Sequence, residues 1–331
     1  MTEVVRAPAT VRTSAARGYP IAVAAAAILS TTAIFIRYLT SSYHLPALVL
    51  AFWRDGFVML TLLVVLRLLR PGLLYAGRRH LPYLLAYGLL LAAFNSAWTL
   101  SVALNGAAVA TVLVYSSAAF TALLGRWLLK ERLDWSKLLA VAASMAGCAL
   151  VADALDPAAW STNLVGILTG VSSGLFYAIY SLMGRSASQR GLNPWTTELY
   201  TFAFAAGFLL LANLLPGGPL PGAAAHPTDL LWLGSALGGW AVLILLAAGP
   251  TVAGFGLYNV SLTYLPSSVA NLIVTLEPAF TTVMAFFLFG ERLTLVQIGG
   301  SALILGGVVL LRIFEGSRAP ENSLGPANSP G

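Results

Sequence analysis

The sequence predicts an all-α polytopic membrane protein, with ten transmembrane helices in two inverted five-helix repeats and both termini cytoplasmic. Three observations lead there. The composition is too apolar for a soluble domain, apolar runs of membrane-spanning length recur along the chain, and part of one half matches part of the other without a gap.

Apolar residues make up 58% of the 331 residues before the 31 glycines are added, and charged residues only 9%. A soluble domain sits near ~45–50% with glycine included and ~25% charged. A chain of this length cannot hide that much apolar surface from water, so the lipid bilayer is its first expected partner. The net charge of +6 does not mark a nucleic-acid protein. Its basic residues punctuate apolar runs instead of clustering on one soluble face. Cys148 is the single cysteine, so no disulfide can form within the chain. His44, His80 and His226 are far apart and near segment ends, which argues against a metal site. No HExxH, Walker A or GxSxG pattern is present, and no nucleophile is set beside a base. The sequence therefore points away from an enzyme and calls for no cofactor, although a proton or another ion could couple to its work.

Taken in order, residues 1–18 are polar and basic and read as a cytoplasmic tail. No clear small-residue cleavage site follows, so the first apolar run is expected to be retained. A helix needs ~20 apolar residues to cross the bilayer. Ten runs qualify, at about 19–38, 46–69, 81–104, 106–127, 134–152, 163–184, 194–215, 236–260, 267–289 and 294–314. The connections are short and carry turn formers, such as Asn105-Gly106, Asp156-Pro157 and the stretch Pro216–Pro227. Residues 228–236 read as a short interfacial piece. Residues 153–162 link the halves on the periplasmic side, and 315–331, rich in Pro, Gly and Ser, read as a disordered cytoplasmic tail.

The internal match pairs residues 106–151 with 266–311 at a constant offset of 160. Ala119-Phe120-Thr121 falls on Ala279-Phe280-Thr281, Glu131-Arg132-Leu133 on Glu291-Arg292-Leu293, and Gly147 on Gly307. A charged triplet inside both copies is hard to obtain by chance from a small apolar alphabet, so the match reads as a duplication. It gives repeats at 19–152 and 163–314. Orientation follows from the basic residues. With the N-terminus inside, fifteen Arg and Lys fall on the cytoplasmic side and two, Arg37 and Arg292, outside. Five spans per half invert the second copy relative to the first, the plan of many secondary transporters. Gly166, Gly170 and Gly174 form a small-residue ridge on the sixth span, suited to close helix packing.

These residues resemble the drug/metabolite transporter superfamily, specifically the EamA-type ten-span exporters. The resemblance rests on the starts of the fourth and ninth spans (Ala107–Val114 and Val269–Val274), on Leu276-Glu277-Pro278, on Phe289-Gly290-Glu291-Arg292-Leu293, and on Gly299, Gly300, Gly306 and Gly307. It covers about residues 19–314. The chain departs from the pattern at Ser117-Ala118, opposite Glu277-Pro278, at Lys130, opposite Gly290, and at Ser30-Thr31-Thr32, where Trp-Gly is common. The resemblance implies a multi-pass protein of a bacterial inner membrane that exports amino acids, related metabolites or toxic small organics. It implies alternating access to a cavity among spans 1–4 and 6–9, with spans 5 and 10 peripheral. An uncoupled facilitator and a drug efflux pump of the same shape are the alternatives. A monomer is expected, with a dimer as the other option.

Glu277 is the foremost candidate residue, because a carboxylate at mid-membrane is costly unless it is paired, protonated or wet. Pro278 beside it removes a backbone donor and tends to kink the helix. Glu277 either lines the path, holding an amine or a proton, or anchors neighbouring helices. Arg54 has three readings: snorkelling to the interface, pairing across helices, with Glu277 as one candidate partner, or binding a substrate carboxylate. Asp55 is its neighbour in sequence, and adjacent residues do not face each other on a helix. Asn95, Trp98, Tyr115 and Tyr177, with Asn271 and Thr275, complete the expected pocket. Its aromatic walls could hold an amine by cation–π contact.

Overall fold

A computed structural model of the chain describes residues 9–129, 135–151, 157–215, 218–265, 267–274, 277–290 and 292–318. Every regular element among the described residues is helical. The first apolar run forms two helices, α1 (Ala9–Leu29) and α2 (Thr32–Ser42). At the break, Ser30 Oγ donates to the Ala27 carbonyl at 2.7 Å and Thr31 Oγ1 to that of Ile28 at 2.8 Å. Such hydroxyl-to-backbone bonds compete with the helical ladder.

Helix α3 (Ala47–Leu69) begins after Pro46, and two short turns (Pro71–Leu74 and Arg78–His80) lead to α4 (Leu81–Asn105). Gly106 stops α4 at φ 82°, a conformation a side chain would resist. The fourth run is again two helices, α5 (Ala107–Val114) and α6 (Ser117–Leu129), followed by α7 (Trp135–Val151). Helix α8 (Pro157–Gln189) starts inside the segment expected to be a linker, with Pro157 at its head, where a missing N–H costs nothing. Asn193 Oδ1 accepts from Trp195 N at 3.0 Å and starts α9 (Pro194–Asn213).

A short turn (Pro227–Leu231) occupies the expected interfacial piece, and α10 (Leu237–Leu246) follows. A π turn over Ala247–Thr251, containing Pro250, joins α10 to α11 (Val252–Tyr264). There Thr251 Oγ1 donates to the Leu246 carbonyl at 2.8 Å. The last elements are α12 (Ser267–Val274), α13 (Glu277–Phe289) and α14 (Leu295–Arg318). The ERL features at Glu131-Arg132 and Glu291, and the tail beyond 318, lie outside the described residues.

Among the described residues, six segments are long and apolar enough to cross a membrane: Arg17–Ser42, Ala47–Leu69, Arg78–Asn105, Leu164–Gln189, Pro194–Asn213 and Leu237–Tyr264. The expected fourth run is described as α5 and α6, and the ninth as α12 and α13 with residues 275–276 outside the described residues. Apolar side chains such as Leu63, Val64, Leu68, Leu168 and Leu211 are exposed, as lipid-facing positions must be. The protein is a polytopic, all-helical membrane protein.

Helix boundaries recur at the offset of the internal match. Helices α5 and α12 run 107–114 and 267–274, α6 and α13 run 117–129 and 277–289, and α7 and α14 start at 135 and 295. Close packing joins α7 to α14, α1 to α11, α4 to α8, and α9 to both α3 and α4. Glycines permit several of these approaches. A Cβ on Gly88 of α4 would lie 2.4 Å from Phe204 Cβ of α9, and one on Gly174 of α8 would lie 2.3 Å from Ser116 Oγ.

Candidate functional site

The breaks in the first and fourth apolar runs meet the start of α13 at the centre of the fold. Tyr115 ends α5, Glu277 starts α13, and the Tyr115 hydroxyl donates to Glu277 Oε2 at 2.6 Å. One turn along α13, Thr281 Oγ1 donates to the Ser30 carbonyl at 3.0 Å, which joins the break between α1 and α2 to the same point. Interrupted helices inside a bilayer need protein or water for their freed backbone groups, and here side chains from opposite halves of the chain supply contacts.

A small cavity of about 30 Å³ lies at this junction. Its wall comes from six segments of the chain: Leu29 and Thr32, Phe94 and Trp98, Val114 and Tyr115, Tyr177, Phe255, and Glu277. Since roughly 10–15 Å³ suffices for one water, it accepts a water or two and not an amino acid. Phe94 and Tyr177 stack with centroids 5.4 Å apart, and Tyr115 meets Tyr177 edge-on at 6.5 Å. The Thr32 hydroxyl is buried beside the cavity with no hydrogen-bond partner. Glu277 is 7% exposed. The site thus offers one acid, one uncommitted hydroxyl and several aromatic faces.

Arg54 and Asn95 sit elsewhere, in a separate buried cluster. Arg54 Nε lies 3.3 Å from Asp55 Oδ1, and Asn95 Nδ2 donates to both Asp55 oxygens at 2.9 and 2.7 Å. The expectation that neighbours on a helix cannot pair does not hold here. The long Arg54 side chain bends back to its neighbour, whose carboxylate Asn95 fixes from α4. Arg54 is 1% exposed and does not snorkel. Phe94 and Trp98, which flank Asn95 in sequence, form the cavity wall, while Asn95 turns to α3.

Asn271 lies among small polar groups of four helices. It accepts from Ser117 Oγ and donates to Ser181 Oγ, both at 3.5 Å, and Ser181 shares a 2.8 Å hydrogen bond with Tyr258. Thr275 lies outside the described residues. Pro278 is the second residue of α13. Sequence reasoning passed over Thr32, Phe94 and Phe255 as lining residues. It also missed Glu198 on α9, which is fully buried with neither carboxylate oxygen hydrogen-bonded. The criterion that singled out Glu277, an acid inside an apolar run, would have found it.

Comparison with known proteins follows the same line. The sequence matches the EamA-like transporter family over residues 16–152 and 164–313. A protein of Archaeoglobus fulgidus described as an uncharacterized transporter is 30% identical over 203 residues, covering 61% of this chain and 66% of the relative. The match to that relative therefore spans just under two thirds of its length. A probable amino-acid metabolite efflux pump of Salmonella typhimurium is 26% identical over 281 residues, covering 81% of this chain and 86% of the relative. One solved crystal structure superposes with a TM-score of 0.61 at 16% identity, covering 90% of this chain and 98% of its own, a likeness of fold alone.

Proposed function

The chain belongs to the EamA-like transporter family, and from that premise we propose that it is a secondary transporter exporting amino acids or related small amphipathic metabolites by alternating access. The observation that carries the reading is the bond between Tyr115, at the break between α5 and α6, and Glu277, at the start of α13, on the wall of a central cavity. Glu277 receives the substrate ammonium, the rings of Trp98, Tyr115 and Tyr177 stabilise it through their faces, and the Thr32 hydroxyl meets the carboxylate. Discontinuous helices at mid-membrane are a common way for transporters to present such groups. Arg54, already paired with Asp55, is a structural residue in this account.

The architecture proposed is ten spans in two inverted repeats, 19–152 and 163–314, with both termini in the cytoplasm of a bacterial cell and the protein in its inner membrane. Its support is the pattern of packing. If spans one to five correspond to six to ten, a two-fold axis pairs the fifth with the tenth and the second with the seventh. It also exchanges the first–eighth contact with the third–sixth. Helices α7 and α14, α3 and α9, α1 and α11, and α4 and α8 form these pairs. The cavity wall obeys the same rule, since its residues come from spans one, three and four and from six, eight and nine. The fifth and tenth stay outside it. A cavity this small admits substrate only if the halves move apart on one side at a time.

The experiment is a screen of overproducing cells for tolerance to toxic amino acids and their analogues, with E277Q as the control. Tolerance conferred by the wild type and lost in E277Q supports the reading. Equal tolerance from both rejects the role given to Glu277, and no tolerance across amino acids and structurally unrelated toxic organics rejects export.

A further inference from the structure

The transport reading leaves one buried acid unused. Glu198 is fully buried near the start of α9, and both its oxygens lack a hydrogen-bond partner. An ionised carboxylate removed from water without a partner is several kcal/mol uphill. A neutral one is not, and needs only a proton. We propose that Glu198 is a second proton-binding site, loaded in this closed conformer and emptied to the cytoplasm when α9 parts from the 71–74 turn.

The surroundings fit a proton better than a larger ligand. A Cβ on Gly256 of α11 would lie 2.9 Å from Glu198 Oε2 and 2.2 Å from the Trp195 ring, so glycine makes just enough room for the carboxyl group. Asn259, on the same face of α11 one turn along, donates Nδ2 to the Tyr180 hydroxyl at 3.1 Å and leaves its Oδ1 unpartnered. Tyr180 is within electrostatic reach of Glu198. The remaining titratable groups on helices packed against α9 are Tyr83 and Tyr87 of α4, the latter donating to the Tyr180 carbonyl, Tyr177 and Arg185 of α8, Tyr258 and Tyr264 of α11, and Arg67, Arg54 and Asp55 of α3. The last two are already paired and sit higher along α9. Asn213 meets the Leu48 carbonyl at one end of the α3–α9 contact, and Thr196 meets that of Leu73 at the other. Arg67 is exposed, Arg185 donates to the Leu262 and Leu265 carbonyls, neither Glu198 oxygen has a hydrogen-bond partner among the described residues, and the turn Pro71–Leu74 carries no titratable side chain.

The cover is specific. Two residues to either side of Glu198, Thr196 Oγ1 donates to Leu73 O at 2.7 Å and the Tyr200 hydroxyl to Leu74 O at 3.0 Å. Breaking these two bonds lets water reach the acid, which then releases its proton to solvent as Glu198 becomes carboxylate. A row of phenols lies between this acid and the cavity. Tyr180 stacks on Tyr177 at 6.3 Å, the Tyr177 and Tyr258 rings lie 5.7 Å apart, and Tyr177 meets the Tyr115 that holds Glu277. The proposal rests on the export reading for its direction: a proton arriving from outside at Glu277 leaves inward through Glu198.

The test is infrared spectroscopy of the full chain in phosphatidylethanolamine–phosphatidylglycerol vesicles, following the carbonyl stretch of protonated carboxyl groups while bulk pH is raised. The expected result is a band resistant to bulk pH that E198Q removes and E277Q leaves. If E198Q leaves every such band unchanged, the proposal is overturned, whatever becomes of export. If E198Q does not fold, the T196V/Y200F pair decides. The band then titrates at lower pH than in the wild type, or, if it does not move, the proposal fails. Loss of export in the tolerance screen with the band intact would reject the transport reading and leave the proton site standing.

Discussion

Glu277 and Arg54 are both charged residues inside apolar runs, and the structure gives them different company. Glu277 takes a single hydroxyl and borders a cavity, whereas Arg54 takes a carboxylate that is itself held twice by Asn95. The two should respond differently to substitution. Replacing Tyr115 by Phe removes one bond to a charged acceptor, worth about 1.5–3 kcal/mol. We expect Y115F to slow export at least tenfold while lowering the unfolding temperature in detergent less than loss of a buried charge partner does. Truncating Asn95 or Arg54 strands a buried charge, at about 3–5 kcal/mol. N95A and R54A should therefore lower the unfolding temperature sharply, and any folded remainder should bind substrate as the wild type does. The sequence exposed both charges, because a charge in an apolar run stands out. It did not expose their partners, because Tyr115 and Glu277 are brought together by tertiary packing across 162 residues. The Arg54–Asp55 contact was missed for another reason. Helical spacing describes where Cβ atoms point, and a side chain as long as arginine escapes that constraint.

At the scale of helices, the positions of the apolar runs were legible and their interruptions were not. The breaks at Ser30–Thr31 and Tyr115–Ser116 contain no proline or glycine, so nothing local announces them. The position equivalent to the second lies just before Glu277-Pro278, where proline favours a helix start, and the internal match could have carried that signal across. The glycine ridge of α8 was legible as packing, and the structure shows its target. A Cβ on Gly170 would lie 2.5 Å from Leu113 Cδ1, and one on Gly174 would lie 2.3 Å from Ser116 Oγ and 3.0 Å from the Val114 carbonyl. The ridge seats α8 against the broken fourth span. Overpacking such a contact typically costs about 1–3 kcal/mol. G174A should destabilise the protein by that amount and disturb export through the neighbouring Tyr115. G299A is the control, since a Cβ there meets nothing within 4 Å; its unfolding temperature should match the wild type's. Equal effects would show that the ridge carries no special role.

For the whole molecule, the proposed architecture of two halves facing a common axis accounts for where the cavity forms. The central residues come from equivalent spans in each half, while α7 and α14 pack on one another away from it. The chemistry is not shared equally, because the acid at 277 faces its repeat position as Ser117. Orientation is open to direct measurement. Reporters fused to each terminus should both read cytoplasmic, and a terminus on the outside would remove the even span number on which the inverted plan depends. The central claim, that Glu277 at the cavity carries amino-acid export, is tested most directly by efflux. Cells are loaded with radiolabelled amino acids and related metabolites, and the outward rate is compared for the wild type, E277Q and the empty host. The account predicts a wild-type rate well above the host for at least one of them, and an E277Q rate indistinguishable from the host with the variant present in the membrane at wild-type level. An E277Q variant that exports as the wild type does would contradict it.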